Sequence, residues 1–311
     1  MKTQQGNRQA AKGFSHPKEA ILLCGHGTRK KEGLEEFQQL AEKMKLRYED
    51  RYVVDYGFLE FNQPTYSVAV AKLYKQGIRK IYALPIILFA GSHAKNDIPY
   101  EMNTLQAEYE DLEIRMGRPL GLSSFLLELA AQRIREVQTS VEEVPYQETC
   151  LIVVGRGTTD PDANSDVQKM MRMLWEGMGF GFGVVAYSGT TPPSVAQTID
   201  LLSGLSFRRF VLIPFFFFTG ILLDRIYAEA HKVLSFPRIL CADAFGDDEL
   251  VLKAFDERLE ETREGNGNMN CQLCKYRKQI IGFEHEQGKE QVGHHLHVRG
   301  IVHEPQKPST T

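Results

Sequence analysis

Apolar residues along this chain follow two alternating patterns. Glu19–Cys24 is almost continuously apolar, as expected of a short strand buried on both faces. Gly33–Tyr48 instead spaces its apolar residues three or four apart, which predicts an amphipathic helix. The alternation continues with a strand over Val53–Phe58, a helix over Thr65–Gln76 that stops at Gly77, and a strand over Lys80–Leu88. A helix over Asp97–Tyr109, a short strand over Glu113–Met116 and a helix over Ser123–Val137 complete the first half. This rhythm predicts a parallel sheet with helices on both faces.

The second half repeats it. Strands over Thr149–Val154, Phe182–Tyr187, Phe210–Phe217 and Arg238–Ala242 alternate with helices over Asp162–Gly177, Pro193–Leu202, Leu223–Val233 and Asp247–Arg263. The halves also agree residue by residue. Ala20-Ile-Leu-Leu-Cys-Gly-His-Gly-Thr28 matches Cys150-Leu-Ile-Val-Val-Gly-Arg-Gly-Thr158, and Leu84-Pro85 through His93 matches Ile213-Pro214 through Leu222. Pro85 and Pro214 lie 129 positions apart, and Gly25 and Gly155 lie 130 apart. The predicted fold class is therefore α/β: two tandem doubly wound parallel-sheet lobes related by internal duplication. The first lobe is expected over residues 19–140 and the second over 148–263. Segments 1–18 and 264–311 are polar and aperiodic, and are expected to be flexible tails.

Composition narrows the function. A net charge of -3 over 311 residues gives nucleic acid no electrostatic footing as a partner. The most apolar run, Phe210–Leu223, is too short to span a membrane and carries Pro214 and Gly220. Met1–Pro17 lacks the apolar centre of a signal peptide, so a cytoplasmic location is expected. Of five cysteines, Cys24, Cys150 and Cys241 fall in strand-like runs and are expected to be core thiols. Cys271 and Cys274 form a Cys-x-x-Cys pair in the tail.

The two copies differ where chemistry is expected. In open α/β sheets, ligands bind beyond the carboxyl ends of the strands. His26 follows the first strand, His93 the third, and Glu60 the second. Their counterparts in the copy are Arg156, Leu222 and Gly189. Structural groups should persist in both copies, whereas one active site needs only one set. His26, His93 and Glu60 are thus the candidate catalytic residues, with both imidazoles as candidate metal ligands. Two imidazoles and a carboxylate suit a borderline cation such as Co²⁺, Fe²⁺ or Ni²⁺. So few donors leave the coordination sphere open, as a metal in transit requires. Imidazoles also exchange protons near neutrality.

Gly25-His26-Gly27-Thr28, Glu60-x-x-x-Pro64-Thr65 and Leu88-Phe-Ala-Gly-Ser-His93-x-x-x-Asp97-Ile-Pro99 together resemble the class II tetrapyrrole chelatases. The likeness is greatest to the long CbiX/SirB-type sirohydrochlorin chelatases and extends over both lobes and the Cys/His-rich tail. It implies ATP-independent insertion of a divalent metal into sirohydrochlorin, in cobalamin or siroheme biosynthesis, with cobalt favoured over iron. It further implies that His26 and His93 bind the metal and accept protons, with Glu60 as an assisting acid. Arg29, Lys30, Ser92 and Lys95, with Arg156 from the second lobe, are then expected to hold the carboxylates of the substrate. At Cys271 and Cys274 the resemblance implies an iron–sulfur centre, which two chains could share in a homodimer. Zinc completed by His285, His294, His295, His297 or His303, and a reduced cysteine pair beside a His-rich metal-holding tail, are the alternatives there. Two other functions stay open: a metal-delivery protein working through this tail, and a phosphoryl-transfer enzyme with His26 as nucleophile. The second is disfavoured because only Arg29 lies near His26 in sequence.

Overall fold

A computed structural model describes residues 19–189, 191–234 and 238–290. The first lobe contains strands β1 (Glu19–Gly25), β2 (Val53–Phe58), β3 (Lys80–Pro85) and β4 (Glu113–Met116), with helices α1 (Lys31–Tyr48), α2 (Tyr66–Lys75), α3 (Ile98–Glu108) and α4 (Ser124–Gln138). The second contains β5 (Thr149–Gly155), β6 (Phe182–Tyr187), β7 (Arg209–Pro214) and β8 (Ile239–Cys241), with α5 (Pro161–Met178), α6 (Val195–Ser203), α7 (Ile221–Val233) and α8 (Glu249–Glu264). Each sheet is fully parallel, in the orders β2-β1-β3-β4 and β6-β5-β7-β8. The duplication extends to the register, since Cys24 pairs Pro85 and Val154 pairs Pro214.

Strand alternation distributes side chains to three cores. Along β1, Ala20, Leu22 and Cys24 face an outer core with α2 and α3 residues such as Leu73 and Ile98. Cys150, Ile152 and Val154 of β5 do the same against Ile199 and Ile226. The opposite faces, Ile21 and Leu23 of β1 with Leu151 and Val153 of β5, belong to one central core common to both lobes. Burial raises the Cys24 thiol pKa well above its ordinary value, and pushes Cys150 and Cys241 up to about 12. Cys24 and Cys150 are packing residues of the two outer cores, and Cys241 is half-buried against the second.

The central core is common because the last helix of each half crosses over. Helix α4 packs on α5, β7 and β8 of the second lobe, and α8 packs on β3 and β4 of the first. Leu126, Leu129 and Ile134 of α4 are fully buried there, each contributing roughly 1.5–3 kcal/mol. Arg118 adds a two-pronged ion pair to Glu261, both contacts at 2.9 Å. The lobes therefore hold a fixed relation.

Most boundaries shift by one or two residues, and two strands end three residues earlier than expected, for one reason. β3 and β7 end at Pro85 and Pro214 rather than Leu88 and Phe217. β1 and β5 end there too, so the remaining apolar residues have no strand to pair with. Ile86, Leu88, Phe215 and Phe217 are apolar because they enter the central core. The chain also stays ordered past α8, forming short turns at Cys271–Leu273 and Glu284–Glu286.

Candidate functional site

The site forms where the loops after β1, β2 and β3 meet. The first two are laced together: Leu59 N–H donates to Gly25 O and Glu60 N–H to His26 O, each at 2.9 Å, and Thr28 N–H donates to Asn62 Oδ1 at 2.7 Å. This lacing needs glycine at 27. Its φ is +98°, and a Cβ there would lie 1.8 Å from the Glu60 carbonyl oxygen. Phe61 has the one positive φ (63°) among described non-glycine residues. That strained turn puts its ring 6.1 Å from the His26 ring, with the Arg29 guanidinium 4.7 Å from the Phe61 centroid.

The third loop opens into a single wide turn, His93–Asp97, with π-type spacing directly before α3. It brings His93 Nδ1 to 2.5 Å from Oδ2 of Asp97, which is wholly buried. Asn96 Nδ2 donates to the other Asp97 oxygen at 2.7 Å. His26 Nδ1 lies 3.1 Å from the Gly27 carbonyl oxygen. A carbonyl and a carboxylate can only accept, so Nδ1 carries the proton on both rings. Both Nε2 atoms then present lone pairs. The ring centroids are 4.6 Å apart at an interplanar angle of 61°. Burial, then the nearby His93 and Arg156, hold His26 down at a pKa of about 4. His26 is therefore a neutral imidazole across the physiological range.

From the second lobe, Arg156 projects its charge toward His26 and Glu60. Arg156 is exposed, and desolvation lowers its pKa against the opposing pull of Glu60. Gly91 and Gly33 let the lobes approach, against Thr158 and the Thr219 carbonyl respectively. A separate inter-lobe cavity of about 340 Å³, lined by Arg118, Asp162, Lys169 and Asn270, includes neither imidazole.

The structure sorts the sequence candidates. His26 and His93 come together. Glu60 does not complete a metal site with them: among the described residues no group of three or more His, Cys, Asp or Glu could hold an ion. Its carboxylate faces the Arg156 charge instead. Arg29 is exposed beside Phe61, and Ser92 adjoins His93. Lys30 reaches Asp224 across the gap at 2.7 Å. Lys95 is turned inward, because its ammonium sits 2.9 Å from Asp160 and 3.0 Å from Asp162, nearly all of it buried. It ties the lobes together and is not on the mouth. Cys271 is half-buried and Cys274 buried. An iron–sulfur centre needs about four ligands, and the described residues offer these two thiols no third. The residues present do not fit a complete cluster. His294, His295, His297 and His303 lie outside the described residues, and His285 is exposed beside Glu286.

Reading the chain alone missed Asp97 as the partner of His93, although the spacing of four was a usable signal. It also missed Phe61, Asn62 and Tyr276, for which sequence carried no signal.

The class of protein is thus a duplicated two-lobed α/β body that carries one close imidazole pair, on its first lobe only. Comparison with known proteins makes this specific. The sequence profile of the CbiX family matches residues 20–137 and 150–262, and the chain belongs to that family. A Priestia megaterium sirohydrochlorin cobaltochelatase is 31% identical over 286 residues, 90% of this chain and 89% of that protein. A Bacillus subtilis (strain 168) sirohydrochlorin ferrochelatase is 28% identical over 246 residues, 79% of this chain and 92% of that protein. The structure of SirB from Bacillus subtilis with Fe³⁺ superposes with a TM-score of 0.72 at 27% identity, covering 81% of this chain and 100% of that one. No described helix is long and apolar enough to cross a membrane.

Proposed function

We propose that this protein is a sirohydrochlorin chelatase that inserts Co²⁺ or Fe²⁺ between its lobes without nucleotide. The observation that carries this reading is the imidazole pair: two rings 4.6 Å apart, each with Nδ1 committed to an acceptor and Nε2 free. Two donors hold an incoming cation while leaving most of its coordination sphere for the macrocycle. As the metal enters, two pyrrole N–H protons must leave the ring. The cation brings two charges, so the exchange is neutral. One of these protons is accepted by a ring nitrogen of the pair, freed as the metal passes on, and the other leaves to solvent. Arg156 and Arg29 flank the pair with charges suited to substrate carboxylates. Holding ring and ion together turns a slow encounter into a positioned one.

The metal is read as cobalt first and iron second, supported by greater identity to the cobaltochelatase than to the ferrochelatase. The test mixes purified protein with sirohydrochlorin and either ion and follows absorbance. Enzyme-dependent insertion is expected with at least one ion, and His93→Ala should abolish it. Full activity in that variant would refute the site. The rival reading, a metal-delivery protein working through the Cys/His-rich tail, would predict loss of function on removing residues 264–311 and none in His93→Ala.

A further inference from the structure

After α8 the chain does not leave the molecule. It crosses the lobe junction and is anchored at both ends of the crossing. Asn270 Nδ2 donates to Asp162 Oδ1 at 2.8 Å, on the second-lobe side of the Lys95 ion pairs. Six residues later the Tyr276 hydroxyl donates to Ser92 Oγ at 3.3 Å, in the first lobe. Between these anchors Cys274 and Lys275 are buried, 7% and 4% exposed. The Lys275 ammonium lies 5.2 Å from the Tyr276 ring centroid and 5.0 Å from that of Phe283. Gly288 N–H donates to Tyr276 O at 3.1 Å, closing the segment on itself. Tyr276 is therefore held from three sides.

Its target is informative. Ser92 precedes His93 and occupies the N-cap of the wide His93–Asp97 turn, yet its side chain does not cap that turn. The hydroxyl is thereby available to the tail. Asp97 fixes the His93 ring from the far end of the turn, and Tyr276 grips its near end through Ser92. Burial raises the phenol pKa, so the group stays a neutral donor at physiological pH.

We propose that Tyr276 is a positioning residue of the imidazole site, acting through Ser92 to hold the His93 turn in its ligating orientation. This rests on the chelatase reading above. It makes the segment around Asn270–Tyr276 a working part of the site.

The test uses full-length Tyr276→Phe, Ser92→Ala and the double variant. Two quantities are measured: insertion of Co²⁺ into sirohydrochlorin, and hydrogen exchange of the amides of 91–97. Tyr276→Phe should lower kcat about fivefold, the factor given by one lost hydrogen bond of ordinary net strength, with KM for the tetrapyrrole unchanged. In the Ser92→Ala background it should add nothing, because both changes remove one interaction. Exchange across 91–97 should quicken in both single variants. A kcat within twofold of wild type, or effects that multiply in the double variant, would overturn the proposal. If the wild-type protein fails to insert metal, the chelatase reading falls by itself. Exchange then decides the positioning claim: faster in both variants upholds it, unchanged overturns it.

Discussion

Replacing Asp97 by Asn tests the electrostatic logic of the site most directly. The two side chains have nearly the same shape, so the wholly buried pocket at 97 accepts either. Asp97 offers one oxygen to Asn96 Nδ2 at 2.7 Å and the other to His93 Nδ1 at 2.5 Å. An asparagine has only one oxygen to give. With that oxygen facing the Asn96 amide, its own NH₂ faces His93 Nδ1. That nitrogen must then accept, so the proton moves to Nε2 and the metal-facing lone pair disappears. Loss of such an outer partner of a ligating histidine costs about 10–100-fold in metal affinity, or roughly 1.4–2.8 kcal/mol. Co²⁺ titration followed by visible absorbance or calorimetry reads the affinity, and a melting curve confirms that the fold is kept. A variant that binds Co²⁺ within about twofold of wild type would refute the tautomer argument.

Three further outcomes follow from the same geometry. An NMR titration should find His26 neutral down to a midpoint near pH 4. Because the folded pKa lies below the unfolded 6.5, the unfolded chain takes the proton first. Stability should then be unaffected above about pH 6.5 and fall by up to ~3 kcal/mol toward pH 4, a loss that denaturant melts should find absent in His26→Gln. Lys95→Met leaves Asp160 and Asp162 buried without their counter-charge and should cost about 3–5 kcal/mol; a raised KM for the tetrapyrrole with an unchanged Tm would instead return Lys95 to substrate binding. Gly27→Ala and Gly77→Ala both place a Cβ at positive φ, but only the first meets a carbonyl oxygen at 1.8 Å. The second should cost about 1–2 kcal/mol and the first distinctly more, with loss of insertion; equal costs in chemical denaturation would contradict the laced loop.

The chain by itself determined a great deal. Alternating periods specified the strands and helices, because each residue's burial repeats with its own local geometry. The unequal copies singled out His26 and His93, since only the first half has imidazoles at those positions. Long-range geometry decided the rest. A helical pattern says that α4 and α8 each have an apolar face, but not which sheet receives it, and the exchange of the two helices is visible only in three dimensions. The same holds for charge. Lys95 reads as a cation beside the site until Asp160 and Asp162, more than sixty residues away, are seen to enclose it. Tyr276 reads as part of a polar tail until its hydroxyl reaches Ser92. Local sequence encodes what a residue prefers as a neighbour; which neighbour it obtains depends on how distant elements pack.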